Sequence, residues 1–151
     1  MANILLSGTL RNNLLNAFTG RGGSSVAVGN GTCYLALSST APSYNSSGEI
    51  TNITEPTDTN YARVMIGTSN TSVTYKFDPA SNGSITNKDE IHFNTASGAW
   101  SGTIGYWAIY SASTGGSPIL AGAFESAVTV TSDKIVCIKK HQMSMTLMPN
   151  T

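Results

Sequence analysis

Gly102-Thr103-Ile104-Gly105-Tyr106-Trp107-Ala108-Ile109-Tyr110 is the most apolar stretch of the chain, and it is apolar at both parities. Successive side chains of a strand point to opposite faces of its sheet. A strand apolar on both faces must be covered on both, so this segment predicts a central strand. Gly105, Trp107 and Ile109 share one parity, and Trp107 and Ile109 are assigned to the core. Ile104, Tyr106, Ala108 and Tyr110 share the other. The hydroxyls of Tyr106 and Tyr110 suit a partly polar boundary, so these two are candidates for a second layer or a subunit interface. Trp100 joins the candidate core, with Gly98, Gly102 and Gly105 marking close backbone approach around a large ring.

On the C-terminal side, Thr114-Gly115-Gly116-Ser117 reads as a hairpin turn, followed by strand patterns at 119–124, 127–130, 134–138 and 143–147. On the N-terminal side, Cys33 to Leu37 is an apolar run, Tyr61 to Ile66 alternates, and Val73, Tyr75 and Phe77 alternate. Ile85 and the pair Ile91 and Phe93 add short strands around the polar turn 87–90. About nine short strands separated by frequent turn signals predict a mainly β fold, an antiparallel sandwich or barrel of jelly-roll-like kind. A parallel sheet would need crossover helices, and no helical pattern follows residue 20. The one helix expected spans residues 7–19, with Leu10, Leu14, Leu15 and Phe18 on one face, Ser7 as N-cap and Gly20 as stop. A helix so short is marginal alone, so Leu10, Leu14 and Phe18 are candidate interface residues, docking on the chain's own β domain or on a neighbour. Two units result: an N-terminal helix and Gly-rich connector (1–25) and a β-sandwich domain (26–151).

The composition narrows the function. Of 151 residues only 11% are charged, and eight basic residues balance eight acidic ones. Ser, Thr, Asn and Gly together supply 67 residues. A neutral chain has no basic surface with which to displace counterions from a phosphate backbone, which argues against nucleic-acid binding. Near-zero net charge promotes association and suits a protein that works inside an assembly. The first residues lack the basic and apolar regions of a signal peptide, and no run approaches the roughly 20 apolar residues of a membrane span. The expectation is synthesis in the cytoplasm with Cys33 and Cys137 as reduced, core-like thiols, a single bridge between them being the alternative.

No pattern for chemistry emerges. His92 and His141 belong to no zinc-ligand spacing, and no nucleophile elbow, phosphate loop or calcium loop is present. The reading carries no catalytic, cofactor or metal residue and no enzymatic activity. Trp100, Tyr106, Trp107 and Tyr110 cluster within eleven residues; packing is the favoured explanation, and an aromatic platform for sugar rings is the rival. Pro56 sets a turn before Tyr61 and Arg63, which share parity, so the guanidinium can stack on a ring or pair with Glu55 as a structural clamp.

Several segments in order resemble a family of small bacteriophage virion proteins often labelled tail-fibre proteins. They are the helix Leu10 to Phe18, Tyr34 to Pro42, Glu55-Pro56 with Tyr61-Ala62-Arg63-Val64, Ile91 to Trp100, Ile104 to Tyr110, and Ala112 with Gly115-Gly116 and Leu120 to Ala123. The family tends to carry a glycine or small residue before its final strand, where this chain has Lys139-Lys140-His141-Gln142. The resemblance implies a short helix leading into an all-β domain. It implies a non-enzymatic virion structural protein of the tail, fibre or baseplate, made in the host bacterium's cytoplasm. The expected partners are the protein itself, as a homo-oligomer with a trimer leading, and other virion proteins. Decoration of the capsid head, a head fibre, and a receptor- or host-glycan-binding module are the alternatives.

Overall fold

The structure, a computed structural model, describes residues 4–19, 32–68 and 75–146, with the backbone alone for 15–18. In chain order the elements are β1 (Leu5–Leu6), α1 (Gly8–Phe18), β2 (Cys33–Ser38), β3 (Ser43–Tyr44), β4 (Ile50–Thr51), β5 (Val64–Gly67), β6 (Ser84–Thr86), β7 (Ile91–His92), β8 (Thr103–Tyr110), β9 (Leu120–Thr129), β10 (Cys137–Ile138) and β11 (Ser144–Thr146). Five strands form one sheet in the order β1-β9-β8-β2-β5, and three two-stranded ribbons, β7-β10, β6-β11 and β3-β4, complete the fold. Every pairing is antiparallel. The protein is therefore mainly β with one short helix, as expected. Its main sheet stays open among the described residues, with ribbons as its covering layers where a jelly roll would have a second sheet of similar size.

The expected central strand is β8, paired with β2 on one side and β9 on the other. Its two apolar faces have two covers. Leu35, Leu37, Trp107 and Ile109 face a cluster with Ile91, Phe93, Ile138 and Met143, brought by the β7-β10 ribbon and its flanks. Ala36, Ala108, Tyr110 and Ala121 face a smaller cluster with Ile50 of β4. The short alanine side chains let the β3-β4 ribbon lie close to the sheet.

Ile104 departs from the parity reading. It belongs with Trp107 in the larger cluster and is 1% exposed, although it was expected on the face of Tyr106. The β8-β9 register shifts between Ile104 and Tyr106, and such a bulge reverses the faces on either side of it. Gly105 sits in the shift, where a Cβ would lie 3.3 Å from that of Ala127.

Two further expectations change. The segments read as separate strands at 119–124 and 127–130 form one strand, β9, while Lys134 to Ile138 contributes only Cys137–Ile138. The strand expected over Val73 to Phe77 falls partly outside the described residues; Phe77 makes an isolated bridge to Asn87. The turn 114–117 stands between β8 and β9, with Gly115 and Gly116 both at positive φ.

Helix α1 starts as its sequence predicts. Ser7 Oγ accepts from Leu10 N at 3.2 Å, and Ser7 O accepts from Arg11 N. The other first-turn donors, Gly8 N and Thr9 N, give their hydrogens to the carboxylate of Glu49 at 3.1 and 3.0 Å. The helix has no acid of its own in that turn, so a loop carboxylate supplies the negative charge its N-terminus favours. Arg11 adds bonds to Leu6 O and Gly48 O, both 2.8 Å, and stacks over Tyr44. With β1 paired to β9, the N-terminal segment is tied to the β domain of its own chain. The expected boundary at residue 25 lies outside the described residues.

Candidate functional site

The densest polar construction joins two loops and strand β2 of the main sheet. Arg63 immediately precedes β5, and its side chain is 7% exposed. Its Nε meets both oxygens of Glu55 at 3.1 Å, and Nη2 meets Oε1 at 2.6 Å. Its Nη1 donates to Ala112 O at 2.9 Å and Gly115 O at 2.8 Å, and the guanidinium lies 3.5 Å from the Tyr110 ring centre. Burial disfavours the guanidinium charge, but the hydrogen bonds and charge of Glu55 outweigh it and raise its pKa. Tyr61 bonds the same carboxylate, donating to Glu55 Oε2 at 3.0 Å while accepting from Leu37 N at 3.0 Å. Burial, then the neighbouring carboxylate, push the Tyr61 hydroxyl far up, and burial raises that of Tyr110. Both expected roles of Arg63, ring stacking and pairing with Glu55, are realised in one clamp that ties β2, the 55–63 loop and the β8-β9 turn.

Asp58 makes a second knot beside it. Its Oδ1 accepts from Ser97 Oγ at 2.6 Å and Asn60 N at 2.8 Å; its Oδ2 accepts from Ser97 N at 2.7 Å and Trp100 Nε1 at 2.9 Å. These donors, Ser97 Oγ foremost, hold the carboxyl well below the usual carboxylate range. Trp100 meets Tyr61 edge-on at 5.7 Å, and Tyr61 stacks on Phe93 at 6.2 Å. The sequence marked Asp58 only as part of a turn. Its partners Ser97 and Trp100 stand about forty residues away, and no local spacing reveals them.

A third group lies on the β7-β10 ribbon. His92 Nε2 is 3.0 Å from Glu90 Oε2 and 3.8 Å from Cys137 Sγ. Both neighbours meet the same ring nitrogen. A thiol-histidine relay needs its orienting carboxylate on the other nitrogen, so the three are not arranged as such a relay.

The candidate residues divide sharply. Trp100, Trp107 and Ile109 are buried at 7%, 4% and 4%. Tyr110, expected at a second layer or an interface, is 4% exposed and covered by Arg63 in its own chain. Its hydroxyl-bearing ring serves an internal second layer. Tyr106 is half-buried beside Ala123, its cross-strand neighbour. Leu10 is buried, and with Leu14 it lines an apolar concavity of about 420 Å³ together with Leu6, Ile85, Leu120 and Met145. The side chain of Phe18 lies outside the described residues. Three of the four clustered aromatics are thus internal, which removes them as an exposed sugar platform. Cys33 and Cys137 are free thiols, and burial pushes that of Cys33 up. No helix among the described residues is long and apolar enough to cross a membrane.

The domain is an open antiparallel sheet whose loops are tied by polar clamps, on a short capped helix. The chain belongs to the family described as Podophage GP4 fiber I protein gp80, whose model it matches over residues 5–146, from the first residue of β1 to the last of β11. No curated protein matches it. The family agrees with the resemblance to small phage virion proteins.

Proposed function

We propose that this chain is a non-enzymatic structural subunit of a phage fibre in the tail or baseplate region of the virion, assembling with copies of itself and with other virion proteins. The observation that carries the reading is the family match across every strand from β1 to β11. The surface supports the oligomeric part. β1 covers β9 only at Leu120 and Ala121, so among the described residues the outer edge of β9 from Gly122 to Thr129 is unpaired. That edge carries one charge, Glu125, and the exposed apolar Val128. Unpaired edges lacking lysine or proline are templates for another strand. A closed homo-oligomer, with a trimer as the leading stoichiometry, satisfies such edges without open-ended growth.

Two experiments test this. Light scattering on the full chain should give a closed oligomer, and Val128→Lys should shift it toward monomer. Cryo-electron microscopy of the particle should place the chain in a fibre attached to the tail. Density on the head would move it to a head-fibre or decoration role. Binding on a glycan array, lost on mutating an exposed tyrosine such as Tyr44, would support the receptor-binding reading instead. A strictly monomeric chain missing from purified particles would refute the proposal.

A further inference from the structure

We propose that Glu90, His92 and Cys137 form a binding site for one divalent transition-metal ion of the zinc type. The three come together through strand register. His92 and Cys137 are direct cross-strand partners on the β7-β10 ribbon. Glu90 lies two residues before His92, so the two share a face. The donor atoms Nε2, Sγ and a carboxylate oxygen all lie within 4.8 Å of one another. Around tetrahedral zinc, with metal–sulfur bonds of about 2.3 Å and metal–nitrogen or –oxygen bonds of about 2.0–2.1 Å, ligand atoms stand roughly 3.3–3.6 Å apart. The separations of 3.0 Å to Glu90 and 3.8 Å to Cys137 bracket that range. Bringing Glu90 and Cys137 to the same spacing takes rotamer movement of up to about an ångström, because the three donor atoms lie within 4.8 Å of one another. His92 and Glu90 side chains are 55% and 45% exposed, so they have room to move.

The donor set selects the metal. One thiolate, one imidazole and one carboxylate make a mixed set that suits zinc, whereas calcium and magnesium require oxygen ligands throughout. Binding forms a metal–sulfur bond as the Cys137 thiol releases its proton to solvent. Three protein ligands leave a fourth position on the exposed side, open to water or to a donor from a neighbouring subunit. The ion would staple a ribbon whose strands pair over only two residues each. One group opposes it: Lys139 Nζ lies 4.0 Å from Glu90 Oε1. Its side chain is 69% exposed and can swing away, and its charge weakens binding until it does.

The test uses the metal-free full chain. Calorimetric titration with Zn²⁺ should show one ion per chain with proton release, and Co²⁺ should produce a thiolate-to-cobalt absorption band. Cys137→Ser and His92→Ala, with folding checked by circular dichroism, should each weaken affinity by more than the roughly 10–100-fold that follows loss of a supporting outer-shell group. Cys33→Ser should leave affinity unchanged, and Lys139→Ala should preserve or tighten it. Absence of the cobalt band in the parent chain would overturn the site whatever the variants do. Binding that survives in both Cys137→Ser and His92→Ala, or that depends on Cys33, would overturn it equally.

Discussion

Gly122→Ala is the sharpest test of the packing described above. Gly122 lies directly opposite Trp107 in the β8-β9 register. A Cβ added there would stand 2.5 Å from Cζ2 and 2.8 Å from Cε2 of the indole, against the 3.4 Å at which ordinary contact begins. The ring must retreat by nearly an ångström. It cannot do so freely, because Trp107 is 4% exposed within the larger core cluster. Overpacking of this kind costs about 1–3 kcal/mol. Replacing a strand glycine by alanine returns about 0.5–1 kcal/mol of backbone entropy. The net loss should be up to about 2.5 kcal/mol, or a melting point lower by up to about 10 °C for a domain of this size. Trp107→Phe removes the indole edge that meets the new methyl. In the double variant the penalty should largely vanish, giving a favourable coupling of roughly 1 kcal/mol or more. Urea denaturation of the four proteins, followed by circular dichroism, measures the cycle. Costs that simply add across the cycle would refute the claim that this glycine exists to seat the indole.

Arg63→Lys keeps the charge but loses the fork to Glu55 and cannot reach both turn carbonyls; losing these charge-assisted hydrogen bonds should cost about 1.5–3 kcal/mol in denaturant unfolding. Trp107→Ala should cost roughly 3–5 kcal/mol, whereas Tyr106→Ala, at a half-buried position, should leave the fold intact and weaken assembly, as read by melting and light scattering. Asp58 has a folded pKa depressed below its unfolded value, so its contribution is present above about pH 4 and is lost as pH falls through the folded value. Asp58→Asn should therefore be less stable than the parent at neutral pH, and melts at a series of pH values should show the gap closing only in strong acid. His141 sits at φ 64° in the turn before β11, and His141→Gly should relieve that conformation and stabilise the domain by up to about 1 kcal/mol.

The position of β8 is legible because nothing but burial on both sides explains an apolar run at both parities. The helix start is equally legible, since Ser7 stands at the required spacing from the first apolar residues. The swap of Ile104 is not legible, because a bulge is a property of two paired strands and β8 alone carries only a glycine as its trace. The same holds for Tyr110, whose hydroxyl suggested a boundary while the residue covering it lies 47 positions earlier at Arg63. Glu55 and Arg63 are close enough in sequence for their pairing to be anticipated; Asp58 and Trp100 are not. His92 and Cys137 became neighbours only through the β7-β10 register, which short strands with few side chains do not specify in advance. At the last turn His141 adopts the left-handed conformation, which a glycine would take at less cost, and no local pattern announces it.

The pairing of β1 with β9 has a consequence for how the chain comes to be folded during synthesis. Leu5 and Leu6 leave the ribosome more than a hundred residues ahead of their partners, Ala121 and Leu120. At about 5–20 residues per second, the first strand waits roughly 6–23 seconds for its partner to be made. Throughout that interval it and the apolar side of α1 have no sheet to join. The edge strand β1 is thus made long before the strand it pairs with, and the interval is an opening for a chaperone or for a neighbouring nascent copy to take its place.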